Sequence, residues 1–223
     1  LPADGAYHPA ALVADAAAWH AALGGGDDAV LLGHDWGAIT ANALGAHPDC
    51  PYARVVSMAV PPFPAIRPRD PRVLARQAAY SWYLLYHQLP WAPERTWDRL
   101  VPRLWASWSR GYDAGDDLAH LAAATPTTAH RRAALGPYRA VPRPWAVPER
   151  YRTWLGSWTD LPRVPVLHLH GAQDRCLQPA LAAGVDDAPL PAGSGLGVVP
   201  GAGHFLQLEQ PDEVARRVLA FLD

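Results

Sequence analysis

The chain contains no lysine. Its 19 basic side chains are all arginine, and 21 acidic ones bring the formal net charge to −2. A nucleic-acid or anionic-membrane binder needs a basic face, so this balance argues against both. Cysteine is scarce as well. Cys50 and Cys176 stand far apart, with no CxxC and no Cys/His metal spacing. Neither a disulfide framework nor a metal site is therefore expected, and a reducing cytoplasm is the default compartment. No apolar run approaches the roughly 20 residues that a membrane helix needs. The opening Leu1-Pro2-Ala3-Asp4-Gly5 has neither a basic start nor an apolar core, so no signal peptide is expected. What is present is 223 residues, 50% of them hydrophobic, which suits one domain with a sizeable core or one domain with an insertion.

The first 60 residues read as helix, strand, helix, strand. An alanine-rich helical pattern over 8–23 is closed by Gly24-Gly25-Gly26. Ala29-Val30-Leu31-Leu32 is a short continuous apolar run of the kind found in strands buried on both faces. After the turn Gly33-His34-Asp35-Trp36-Gly37, a helix is predicted over 38–46 and a strand over 54–60, stopped by Pro61-Pro62. The character then changes. Eight of the ten tryptophans fall within 63–160, where amphipathic helices are predicted over 74–89 and 96–108 and no β-type run intervenes. Strands resume over 164–169 and, more weakly, 196–199, before a closing helix over 211–222. Alternating strands and helices predict a parallel, doubly covered sheet carrying a helical insertion.

Three residues stand where such a sheet places chemistry. Asp35 occupies the centre of a Gly-x-Asp-x-Gly turn between strand and helix, the spacing of a nucleophile elbow with aspartate at the position usually held by serine. Asp174 follows the strand over 164–169, and His204 follows the last strand in Gly201-Ala202-Gly203-His204-Phe205. The order nucleophile, acid, histidine is that of the elbow-bearing hydrolases, and all three fall at carboxyl ends of strands. An isolated aspartate after a strand is often only a helix cap, and an isolated histidine a surface group. The ordered set of three is what favours chemistry.

With these motifs the chain resembles the α/β-hydrolase fold, and within it the epoxide hydrolase branch. Gly33-His34-Asp35-Trp36-Gly37 is the form that branch uses around its aspartate, whereas the related haloalkane dehalogenases typically carry glutamine at the place of His34. The likeness continues through Gly203-His204-Phe205-Leu206 and the last helix. It implies a hydrolase core in 1–62 and 163–223 and a helical cap over 63–162. Within that cap, Ser81 to Pro90 resembles the helix carrying a first ring-opening tyrosine, Tyr83, and Ala134-Leu135-Gly136-Pro137-Tyr138-Arg139-Ala140 the segment carrying a second, Tyr138. Tyr80, Tyr86, Tyr112 and Tyr151 read better as packing, as does His168 in its buried strand. Family members also begin with several strands before the elbow, including a His-Gly-x-Pro turn that supplies an oxyanion donor. Here His-Gly occurs only at His170-Gly171, so the N-terminal strands of the family fold are expected to be missing.

A carboxylate attacking saturated carbon leaves an ester that water can cleave, whereas serine would leave an inert ether. Asp35 as nucleophile thus points to displacement at sp³ carbon, with His204 as base, Asp174 orienting it, and Tyr83 and Tyr138 as acids toward an epoxide oxygen. Trp36 is expected to give a backbone donor to the oxyanion, and His34 to sit with it on the substrate side. The expected ligand is a small apolar or aromatic epoxide, with no cofactor or metal; a homodimer is left open. A haloalkane dehalogenase with the same three residues, and a truncated, catalytically silent homologue or a small-molecule binder, stay as alternatives.

Overall fold

Pro9 fills the first position of helix α1 (Pro9–Ala22), and the His8 ring accepts the N–H of Ala10 to cap it. These details come from a computed structural model that describes residue 2, residues 5–68 and residues 70–223. The chain then forms β1 (Val30–His34), α2 (Trp36–Ala46) and β2 (Arg54–Met58). A helical segment follows: α3 (Pro71–Tyr80), α4 (Trp82–Tyr86), α5 (Ala92–Arg95), α6 (Trp97–Trp108), α7 (Gly115–Ala124) and α8 (Thr128–Ala140). Strands return as β3 (Val166–Gly171) and β4 (Gly195–Val199), and α9 (Leu206–Glu209) and α10 (Pro211–Leu222) close the chain.

The four strands form one parallel sheet in the order β1-β2-β3-β4. Side-chain alternation assigns its faces. Val55 and Val166 pack with Ala41 of α2 on one side. Val56, Met58, Leu169 and Val199 pack with Leu206, Val214 and Val218 of α9 and α10 on the other. Both faces are covered, which is why the strands read as near-continuous apolar runs.

Of the boundaries that differ from the sequence expectation, three have a plain local reason. The strand expected over 54–60 ends at Met58, because Ala59 turns to φ 68°. The strand expected over 164–169 starts at Val166, since Pro165 has no N–H and contributes only its carbonyl, to Val55. The helix expected over 74–89 breaks at Ser81 (ψ 12°), whose hydroxyl accepts a hydrogen bond from Gln77. Among the described residues no helix is long and apolar enough to cross a membrane.

β1 is an outer strand of this sheet, and its Leu32 is 48% exposed.

Candidate active site

The turn between β1 and α2 forces Asp35 forward. Its backbone sits at φ 51°, ψ −115°, a conformation rarely adopted by a residue with a Cβ. A Cβ on Gly33 would lie 2.0 Å from the Gly37 carbonyl oxygen, so glycine there is what lets strand and helix close up. The Asp35 side chain makes no cap hydrogen bond to α2. It points instead to His204, with Oδ2 3.0 Å from Nε2.

His204 and Asp174 arrive on the loops after β4 and β3. A Cβ on Gly171 would come 1.9 Å from the Gly203 carbonyl oxygen, so the close approach of these two loops requires glycine. His204 Nδ1 donates to Asp174 Oδ2 at 3.0 Å, while Asp174 Oδ1 accepts the N–H groups of Cys176 (2.7 Å) and Leu177 (3.1 Å). His204 is fully buried and Asp174 is 2% exposed. Burial works against a charged His204. The neighbouring Cys176 and Asp174, with the hydrogen bonds to Asp174 and Asp35, outweigh it and hold the imidazole pKa well above the ordinary value. For Asp35 burial likewise opposes the charge, but the hydrogen bond and charge of His204 prevail and its pKa is lowered. The two therefore form a carboxylate–imidazolium pair, with a second carboxylate behind.

Across from Asp35 lies a cavity of about 480 Å³, walled mostly by apolar groups including Ile39, Val60, Phe63 and Leu84. Tyr83 of α4 and Tyr138 of α8 both line it, their ring centroids 6.0 Å apart. Burial is the main reason both phenol pKa values lie well above 10, so both hydroxyls are proton donors at neutral pH. The hydroxyls of Tyr80, Tyr86 and Tyr112 are engaged elsewhere, with Arg175, Thr96 and Asp117. The two tyrosine helices are pinned to each other: Gln88 donates to the Tyr138 carbonyl, and Arg139 donates to the carbonyls of His87 and Leu89. Arg139 is fixed in turn by the buried Glu94 (2.7 Å).

Trp36 lines the cavity and packs edge-on against Tyr138 at 4.9 Å, its side chain within reach of the Tyr138 hydroxyl. His34 is placed differently from the expectation that put it beside the substrate. Its Nε2 donates to the His204 backbone carbonyl at 2.9 Å, so it anchors the histidine loop beneath the cavity wall.

Sequence reasoning missed a buried chain of polar groups behind Asp174. His168 is buried, as expected, but not in an apolar setting. Its Nδ1 lies 3.0 Å from Ser57 Oγ, and its Nε2 lies 3.0 Å from His170 Nδ1, whose own Nε2 is 2.9 Å from the Leu177 carbonyl. Burial lowers both histidine pKa values, so both rings are neutral. A carbonyl only accepts, and this fixes the direction throughout: Ser57 donates to His168, His168 to His170, and His170 to Leu177. The last link ties down the loop whose N–H groups hold Asp174. The signal for it was His168-Leu169-His170, two histidines on one strand face, but the pairing of His168 with Ser57 needs the β2–β3 register. Cys176 was also missed. It borders the cavity, 6% exposed, with Sγ 3.3 Å from the Tyr83 hydroxyl.

A parallel sheet with an aspartate elbow, and an acid and a histidine at neighbouring strand ends, defines a hydrolase class of α/β protein. The chain belongs to the alpha/beta hydrolase family, whose sequence profile matches residues 1–217. No curated protein matches it. A Klebsiella pneumoniae protein provisionally described as an epoxide hydrolase superposes with a TM-score of 0.76 at 20% identity, covering 100% of this chain and 76% of that one. Epoxide hydrolase A from Mycobacterium thermoresistibile gives 0.68 at 23% identity, over 100% of this chain and 77% of that one. A haloalkane dehalogenase loop variant from Bradyrhizobium elkanii gives 0.71 at 19%, over 97% and 73%. At such identities the likeness shows the fold alone.

Replacing His170 by leucine strands the Leu177 carbonyl and the His168 Nε2–H. His170→Leu is expected to lower stability by about 1–3 kcal/mol, the cost of leaving buried polar groups unpaired. His170→Gln, which can keep a donor toward Leu177, should lose less. Urea denaturation of both variants measures this, and equal midpoints for His170→Leu and the parent would contradict the assignment.

Proposed function

We infer that the chain is an epoxide hydrolase-type hydrolase, opening a small apolar or aromatic epoxide to a vicinal diol. The observation that carries this reading is a forward-pointing Asp35 carboxylate, bonded to His204 and facing two protonated phenols across an apolar cavity. The helices bearing Tyr83 and Tyr138 act as a cap over the hydrolase core. Two separated free cysteines suit a reducing cytoplasm.

In the first step an Asp35 carboxylate oxygen attacks an epoxide carbon and the C–O bond to that carbon breaks. The departing oxygen takes a proton from Tyr83 or Tyr138 and becomes a hydroxyl. Esterification removes the Asp35 charge, and with it one of the contacts that keep His204 protonated. The imidazolium can then return its proton to the phenolate and become a neutral base. In the second step His204 Nε2 takes a proton from water as the water oxygen attacks the acyl carbon of the Asp35 ester. Asp174 stabilises the imidazolium that results. The tetrahedral oxyanion takes a hydrogen bond from the Trp36 backbone N–H, and its collapse expels the diol oxygen, which takes the second proton of the attacking water as the carboxylate is regenerated.

A second reading, haloalkane dehalogenation, rests on the Trp36 side chain in the cavity wall, since an indole N–H is a donor that suits a departing halide. The two readings separate on the phenols. The Tyr83→Phe/Tyr138→Phe double variant should slow epoxide opening by about a hundredfold or more. Halide release from a haloalkane at an unchanged rate in that variant would favour the dehalogenase. In His204→Gln the first step survives and the second fails, so a substrate adduct should accumulate on the peptide containing Asp35. Mass spectrometry detects it. Product formation by His204→Gln without an adduct would overturn the covalent route.

A further inference from the structure

Cys176 has no part in the reaction above, yet its sulfur lies with the two reacting groups. A carboxylate oxygen of Asp35, Cys176 Sγ and a ring nitrogen of His204 all fall within 4.8 Å of one another, and Nε2 is the nitrogen that faces Asp35. From these three atoms we propose that the cleft is also a binding site for one soft divalent cation of the zinc type, which excludes substrate when bound. The proposal does not depend on the reaction assigned to the cleft.

The donor set selects the cation. One thiolate, one imidazole and one carboxylate suit zinc, whereas magnesium and calcium require mainly oxygen. Zinc bonds of about 2.0–2.3 Å in a tetrahedron place the ligand atoms roughly 3.3–3.8 Å apart. His204 Nε2 and Asp35 Oδ2 are already 3.0 Å apart, and side-chain shifts of about 1 Å close the remaining pairs to that range. Asp35 and Cys176 both line the cavity, which gives a cation its way in and leaves room for one exchangeable ligand beside three protein ligands.

Two of the ligands also have a supporting partner of the kind metal sites use. His204 Nδ1 donates to Asp174, which turns Nε2 toward the cleft. The Tyr83 hydroxyl lies 3.3 Å from Cys176 Sγ, placed to donate to a thiolate. On binding, Cys176 and His204 each give up a proton to solvent and their lone pairs bond the cation; nothing is oxidised or reduced. The thiolate and the carboxylate balance the two positive charges.

The test reads binding, so a failure of the proposed reaction leaves it intact. Cobalt(II) is titrated into the full chain and the thiolate-to-cobalt charge-transfer absorption is followed, with zinc then added to displace it. One equivalent of cobalt should produce the band, and Cys176→Ser should abolish it. His204→Gln, a second variant in case the first folds poorly, should weaken binding by about tenfold or more. In parallel, N-ethylmaleimide labelling is mapped by mass spectrometry with and without zinc, Cys50 serving as the internal control. Zinc should protect Cys176 and leave Cys50 unchanged. The proposal is overturned by the absence of the band in the parent chain, by a band that survives Cys176→Ser, or by Cys176 labelling that ignores zinc.

Discussion

The pairing of Asp35 with His204 is the constraint on which the rest of the structure converges. The carboxylate is held out of the helix by a left-handed backbone, and the imidazole is sunk where water cannot solvate its charge. An isolated charge in that place would be untenable. It is tolerated because a second carboxylate, Asp174, stands behind the ring and is itself satisfied by two backbone N–H groups. Glycine at 33 and 171 supplies the close backbone contacts without which the three groups could not meet.

Support for this pair comes from three sides. Behind it, Ser57, His168 and His170 form a one-way run of hydrogen bonds across β2 and β3 that ends on the loop holding Asp174. Below it, His34 secures the backbone of His204. Above it, the two tyrosine helices are held together by Gln88 and by an Arg139 that a buried glutamate fixes in place. The cleft is thus built from charged and polar contacts on its framework and apolar groups on its walls. That combination strengthens electrostatics at the carboxylate while leaving room for an apolar ligand.

Much of this was legible in the residues. The elbow could be read because the glycines flanking Asp35 are a local requirement of the turn, and the order Asp35, Asp174, His204 because strand ends mark the sites of parallel sheets. Tyr83 and Tyr138 were placed by resemblance, and both line the cavity. What escaped depends on contacts distant in sequence. The hydrogen bond from Ser57 to His168 spans 111 positions, and it needs a register that no local pattern encodes. The contact of His34 with the His204 backbone escaped because strand alternation does not say which neighbour a ring will meet. The break at Ser81 escaped because the apolar pattern runs through it unchanged, while the contacts that accompany it come from the Gln77 side chain, which also reaches the Cys176 carbonyl.

A covalent ester on Asp35 is the central chemical claim, and isotope transfer in a single turnover tests it most directly. Enzyme in excess over an epoxide, in water enriched in ¹⁸O, should place the heavy oxygen in the Asp35 carboxylate while the first diol released carries none. Heavy oxygen in that first diol, with an unlabelled Asp35 peptide, would mean that water attacks the epoxide directly and would contradict the account.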